Sequence, residues 1–203
     1  MALRELIEKN RSYGSFYEDE PVSVDTLMEL VDLARISPSS MNLQPLKYIL
    51  STDKETNDFI FEHLRWASYI KKWQGPEKGE RPAAYIIILI DRQIRVTGGR
   101  VDAGIALSSI LLGATEKGLG GSIISAIDRA AFVKKFRIPE HLEIMLVLAI
   151  GKPKGNISLT ETDDEIIYYQ GEDGTTKVPK RRLGDIIFDP EKYEKHKFHD
   201  HLY

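Results

Sequence analysis

The sequence predicts a layered domain of mixed helix and strand, α+β or α/β. Three observations carry this. Residues 84–90 and 143–150 form two continuous apolar runs, the first of them β-branched, which read as strands buried on both faces. Between them, residues 102–117 are apolar almost all round with Ala, Gly and Ser interleaved, the mark of a helix that is buried or lies against another subunit. Residues 24–34 carry Val24, Leu27, Met28, Val31 and Ala34 at helical spacing, a single apolar stripe. Strands and helices mixed in this way stack as layers around one core.

The elements follow in order. Leu3, Leu6 and Ile7 recur at helical spacing and predict a short opening helix that runs into Arg11-Ser12-Tyr13-Gly14. Ser23 is placed to cap the second helix and Asp25 to face its positive end, while Pro38 stops it. Residues 46–50 predict a strand, and residues 53–66 a helix with Phe59, Ile60, Leu64 and Trp66 as core. The polar segment 71–82, with two Gly and two Pro, is a surface loop. Gly118 suits the left-handed residue that ends the long apolar helix, and Asp128 caps the helix carrying Phe132, Val133 and Phe136. Residues 168–170 and 175–178 flank Gly171-Glu172-Asp173-Gly174 and predict a hairpin. Residues 183–188 are apolar and short, a run expected to join a sheet edge as a strand. Residues 190–203 are charged and rich in His, a loosely ordered tail.

Composition narrows the function. The chain has 203 residues, enough for one domain or one domain with an arm, and 42% are hydrophobic, enough for a real core. A net charge of −3 argues against nucleic acid or an anionic membrane as the main partner. The absence of cysteine excludes disulfides, thiol nucleophiles, Cys-bound zinc and iron–sulfur clusters. The N-terminal Met-Ala-Leu-Arg-Glu lacks the pattern of a signal peptide, and the longest apolar stretch falls short of the roughly 20 residues of a membrane span, so a soluble cytoplasmic protein is expected.

Four polar stretches stand out. The first is Asn10-Arg11-Ser12-Tyr13; a fixed charge beside a hydroxyl suits a phosphate, although such a pair is also an ordinary helix end. The second, residues 37–45, packs three serines, two amides and two prolines into a loop that could be a plain turn or a cradle for a polar planar ligand. The third is Gly118-Leu119-Gly120-Gly121-Ser122-Ile123-Ile124-Ser125, which neither follows a strand nor opens a helix and so is no dinucleotide fingerprint or P-loop. The fourth is Val178-Pro179-Lys180-Arg181-Arg182, a basic triplet of the kind usually found on a solvated surface. Beside them, Trp66, Tyr69 and Trp73 fall on one face if the helix continues; Trp66 reads as core, Tyr69 and Trp73 as a substrate wall. His196, His199 and His201 on the tail are weak evidence for a metal, and none is assigned.

In this order and at these separations, the four stretches resemble the FMN-dependent nitroreductase family over residues 6–188. The resemblance implies an α+β three-layer sandwich, a mostly antiparallel central sheet flanked by helices. It implies a single domain over residues 1–189, whose C-terminal arm, 151–189, crosses to a partner subunit and adds a strand there. The cofactor the resemblance implies is FMN. Arg11 and Ser12 hold its phosphate, helped by Lys180 and Arg181, with Arg182 as the alternative. Relatives also carry basic residues where this chain has Asn10 and Gly14, and Trp where it has Leu46. Pro38, Ser39, Ser40, Asn42 and Gln44 line the flavin, and main-chain groups of Ile124 and Ser125 approach its ring; relatives often have Glu in place of Ser125. The implied activity is transfer of reducing equivalents from NAD(P)H to a nitroaromatic, quinone or other small electrophile. No side chain is needed as a general acid or base, because the chemistry belongs to the flavin. A homodimer with two FMN sites at its interface is implied as well. Two alternatives stand beside this: a same-fold enzyme of other redox chemistry, such as dehalogenation, and a non-catalytic flavin-binding or regulatory protein.

Overall fold

The computed structural model describes residues 2–66, 73 and 75–190. Tyr69, the tail histidines His196, His199 and His201, and nearly all of the tail lie outside them. The chain forms two compact units, Met1–Gly155 and Asn156–Tyr203.

The first unit is built on an antiparallel sheet. In chain order its elements are α1 (Leu3–Lys9), β1 (Phe16–Tyr17), α2 (Val24–Arg35), β2 (Leu46–Ser51), α3 (Lys54–Glu62), β3 (Ala84–Asp91), α4 (Arg100–Glu116), β4 (Gly120–Ile124), α5 (Arg129–Phe136) and β5 (Leu142–Pro153). The strands are ordered β1-β5-β3-β2, and β4 also pairs with β5. All four pairings are antiparallel. The two apolar runs are the two central strands, paired from Ala84 opposite Ile150 to Asp91 opposite Leu142 with a one-residue register shift between Ile88 and Leu89.

Their apolar continuity has a direct cause. Alternate side chains of a strand point to opposite faces, and here both faces are covered. Ala84, Ile86, Ile88, Leu148 and Ile150 pack with Leu27 and Leu30 of α2 and Leu107, Ile110 and Ala114 of α4. Tyr85, Ile87, Leu89, Val147 and Ala149 pack with Ile60 of α3 and Phe132 of α5. The result is the expected three-layer sandwich. Helix α4 meets α2 closely because Gly113 leaves room; a Cβ there would stand 2.3 Å from Leu33 Cδ1. At its end Gly118 is left-handed (φ 75°), as expected. Its amide bonds Thr115 O at 3.0 Å and that of Leu119 bonds Ala114 O at 2.8 Å, a Schellman closure. Ser23, Asp53 and Asp128 cap α2, α3 and α5 through the amides of Thr26, Thr56 and Ala131.

The helix expected over residues 53–66 is shorter: α3 stops at Glu62. Leu64 leaves it to bridge Ile127. Apolar spacing continued past the helix because Leu64 and Trp66 still face the same core cluster from an extended chain.

The second unit holds β6 (Ile157–Thr162), β7 (Tyr169–Gln170), β8 (Thr176–Arg181) and α6 (Leu183–Ile186). The expected hairpin is there: Tyr169 pairs with Lys177 and Gln170 with Thr176, across a turn where the Gly171 amide bonds Thr175 O at 2.9 Å. β8 also pairs in parallel with β6. The strand expected at residues 183–188 is not formed. Leu183–Ile186 is a single helical turn, opened by Arg182 in extended geometry and closed by the Asp185 amide on Arg182 O. Leu183, Ile186, Ile187 and Phe188 are all more than 60% exposed, so no sheet edge receives them in this structure.

Candidate functional site

The Arg11–Ser12 stretch and the glycine stretch come together. Ser12 bridges Gly121 in parallel, and the Tyr13 amide donates to Gly121 O at 3.1 Å. This contact depends on absent side chains. A Cβ on Gly120 would enter the Tyr13 ring at 2.5 Å, and one on Gly121 would stand 2.8 Å from both Ala149 O and Leu111 Cδ2. The same packing half-buries the Tyr13 phenol and raises its pKa, against a lowering by the nearby Arg11 charge. Ile124 is buried on β4 opposite Val147, and Ser125 follows it, exposed, with its carbonyl accepting from Arg129 Nη2 at 3.4 Å.

Arg11 is not fully extended toward solvent. Its Nη2 donates to Ile7 O, so the guanidinium caps the last turn of α1, where the helix dipole favours a cation. Its Nε is buried and has no hydrogen-bond partner among the described residues. Gly14 has an evident reason: a Cβ there would lie 3.1 Å from Trp73 Cζ2, so Trp73 occupies the space that a basic side chain would need. Trp73 also meets Trp66 edge-on, the ring centroids 6.0 Å apart. Trp66 is core, packed in the second cluster, as expected. The pair does not share a helical face, because α3 has ended before both.

The Pro38–Gln44 loop is built differently. Met41, Asn42 and Gln44 all have positive φ, 54°, 57° and 50°. Asn tolerates this conformation; Met and Gln rarely adopt it. Pro38, Asn42 and Gln44 are exposed, and the Gln44 amide nitrogen bonds Asn42 Oδ1 at 3.1 Å and Asn42 O at 3.2 Å. Ser39 faces inward: its hydroxyl donates to Asp102 Oδ1 at 2.7 Å and accepts from the Gln44 amide at 3.0 Å. The Ser40 amide donates to the same Asp102 oxygen at 2.9 Å.

Asp102 escaped the sequence reading. It is 3% exposed, in the first turn of α4. Burial pushes its pKa up, but the Ser39 hydroxyl, the Ser40 amide, the Arg95 charge and its own amide together hold it below the ordinary value. A carboxylate in the first turn of an otherwise apolar helix was the available signal. Its partners, some 60 residues away in sequence, were not legible.

The register shows which residues one subunit cannot bring together. Pro45 O accepts from the Asp91 amide at 2.8 Å, and Asp91 is opposite Leu142. Ser12 lies at Gly121, which is opposite Ile150. The two groups therefore stand at opposite ends of β5 and on opposite sides of it. From Leu142 to Ile150 is about 26 Å at ~3.3 Å per residue, farther than one flavin mononucleotide reaches.

In the second unit, Lys180 and Arg181 end β8, exposed, in register with Glu161 and Thr162 of β6. Arg182 is committed elsewhere, 3.3 Å from Asp163 and 3.6 Å from Glu161.

The donors suit FMN. Amide and hydroxyl groups on a strained loop answer a flavin's polar edge and ribityl chain, and the unpartnered Arg11 Nε beside the exposed Ser12 is a donor pair for a phosphate. Comparison with known proteins leads the same way. Residues 7–152 match the family profile described as Nitroreductase family. The chain belongs to the nitroreductase family. Among curated relatives of this nitroreductase-family chain is an FMN reductase [NAD(P)H] of Bacillus subtilis, 28% identical over an alignment of 152 residues that covers 68% of this chain and 60% of that one. Another is an iodotyrosine deiodinase of Thermotoga neapolitana, 24% identical, covering 74% of this chain and 88% of the deiodinase. A crystal structure of a nitroreductase family protein from Clostridium novyi NT superposes with a TM-score of 0.63 at 24% identity, over 76% of this chain and 86% of that one. The nitroreductase fold, with its α+β sandwich, is thereby shown, and the chain is of an oxidoreductase family.

Proposed function

We propose that this chain is an FMN-dependent oxidoreductase that draws reducing equivalents from NAD(P)H and delivers them to a nitroaromatic, quinone or similar small electrophile. The observation that carries the reading is the Pro38–Gln44 loop: three left-handed non-glycine residues, exposed Asn42 and Gln44 amides, and a buried carboxylate behind them. Strain held by a surrounding frame is characteristic of ligand sites. Bound FMN would supply hydride acceptance and donation. The chain's part is to bind and orient it: Asn42 and Gln44 at the polar edge, Ser12 with Arg11 at the phosphate, and Lys180 and Arg181 as further cations. The main chain at Ile124 and Ser125 would approach the ring, and Trp73, with Tyr69, would wall the substrate side.

The working unit in this proposal is a homodimer. Ser12 and the Pro38–Gln44 loop lie too far apart within one subunit to share a flavin, and a two-fold partner supplies the missing half. Apolar surface supports this. Ile36 and Val101 are 63% and 68% exposed, and a groove of about 310 Å³ runs past Leu6, Leu33, Ile36 and Leu112. No helix among the described residues is long and apolar enough to cross a membrane, in keeping with the proposed cytoplasmic location.

The test is a titration of purified protein with FMN, followed by anaerobic NADH and NADPH while the flavin absorbance is recorded. Quenching of flavin fluorescence and bleaching by either nucleotide are expected, with a dimer in sedimentation. A protein that leaves the FMN spectrum unchanged sinks the reading. The deiodinase relative supports one alternative, reductive dehalogenation at the same flavin. Halide release from an iodophenol, with no turnover of nitroaromatics or quinones, would favour it.

A further inference from the structure

We infer that Asp102 is a positioning residue for flavin binding, holding the Pro38–Gln44 loop in its ligand-ready shape; the inference rests on the FMN reading above. One carboxylate oxygen, Oδ1, takes the Ser39 hydroxyl at 2.7 Å and the Ser40 amide at 2.9 Å. The Ser39 hydroxyl then takes the Gln44 amide at 3.0 Å. Asp102, Ser39 and Gln44 thus form a relay that closes the loop from Ser39 to Gln44. The three left-handed residues, Met41, Asn42 and Gln44, lie inside that closure or at its end. Non-glycine residues persist in this region only where their surroundings over-determine it. The local turn bonds, Asn42 amide to Ser39 O at 2.9 Å and Leu43 amide to Ser40 O at 3.1 Å, fix the turn but do not anchor it to the domain. Asp102 does, because α4 is packed into the core directly after it, through Ala103 and Ala106.

A second observation separates this role from plain stability. Asp102 Oδ2 is buried and has no hydrogen-bond partner among the described residues. A buried carboxylate with one oxygen left unpaired forgoes hydrogen bonds that water would supply, so the site is not built for stability alone. Local rules are broken in this way mainly at functional sites. Charge makes the two bonds at Oδ1 stronger than a neutral acceptor would, and the α4 dipole favours the anion there. Asp102 need not touch the flavin; it acts through Ser39 and Ser40 on the exposed Asn42 and Gln44.

The test uses amide hydrogen exchange on the flavin-free protein, then FMN titration of the same samples. In the wild type, the Ser40 and Gln44 amides should be protected. Asp102→Ala should release both and weaken FMN binding roughly tenfold or more, the scale of one lost charge-assisted bond. Asp102→Asn, whose amide oxygen can accept both bonds, should restore most of the protection and most of the affinity, a rescue that loss of packing alone would not give. Ser39→Ala should release Gln44 while leaving Ser40 protected. That variant carries the test if Asp102→Ala does not fold. Unchanged exchange at Ser40 and Gln44 in Asp102→Ala, or at Gln44 in Ser39→Ala, overturns the lock. Released amides with unchanged FMN affinity overturn the positioning role. A wild type that binds no FMN overturns the functional reading and this role with it, even where the exchange data show the lock.

Discussion

The two ends of helix α4 are held by opposite means. At its N-terminal end a buried carboxylate grips the Pro38–Gln44 loop, and three side-chain-bearing residues adopt a conformation suited to glycine. At its C-terminal end glycines do the work: Gly118 turns the chain, and Gly120 and Gly121 let Tyr13 and β5 come close. Glycine also opens the helix, at the left-handed Gly99 (φ 92°), but the loop beside that end is fixed by what a side chain bonds, whereas the far end is closed by what its side chains lack. Polar closure leaves exposed amides that can serve a ligand, whereas glycine closure leaves a flat, unadorned backbone against which a ring can lie. The first end should be vulnerable to deletion and acid, the second to added volume.

The largest effect expected is at the glycine end. Gly121→Val drives a side chain into Ala149 O, a backbone atom that cannot step aside. A loss of about 3 kcal/mol, at the upper end of overpacking costs, is expected from urea denaturation. A loss under about 1 kcal/mol would show that β4 can shift and that the comparison is too sharp.

Next comes acid at the carboxylate end. The Asp102 pKa is depressed on folding, so its contribution is fully present above the unfolded value of about 3.9 and is lost as pH falls through the lower folded value. Arg95 is the charged side chain whose field reaches it. The stability gap between wild type and Asp102→Asn should therefore hold from neutrality down to the ordinary Asp range and close below it. A gap that widens in acid would reverse the assigned sign.

A smaller effect comes from Gly118→Ala, which puts a Cβ on a residue at φ 75° in open space. A loss of about 1 kcal/mol is expected, from backbone strain alone. Smallest is Met41→Gly at the opposite end: Met41 is 87% exposed, so the change removes left-handed strain and little packing. A gain of about 0.5 kcal/mol in stability is expected, the relief slightly exceeding the entropy glycine adds to the unfolded chain. A measurable loss would mean that the Met41 side chain is part of the frame.

The same contrast separates what the sequence disclosed from what it did not. β3 and β5 were legible because burial on both faces leaves no polar alternation, and the caps Ser23 and Asp128 act within three residues of themselves. Gly118 was legible as a helix stop for the same local reason. The end of α3 was not, since its apolar spacing outlasts its hydrogen bonds. Nor was the pairing of β6 with β8, polar strands whose register is a long-range matter. The run 183–188 misled because four apolar residues fit a turn of helix as well as a strand. At the site, residue types were readable and distances were not. The sequence put Arg11 and Asn42 in one set; the register puts their stretches at opposite ends of the sheet.

The packing around Gly14 has an optical consequence. The chain has two tryptophans, and both belong to one edge-on pair, 6.0 Å between centroids. Trp73 presses on Gly14, two residues from Ser12. Tryptophan emission therefore reports from a single address, beside the stretch assigned to the phosphate. A signal excited at the red edge of the tryptophan band, beyond tyrosine absorption, would register events there before it registered anything at the far end of α4, and the two ends could be watched separately by adding one tryptophan at Met41.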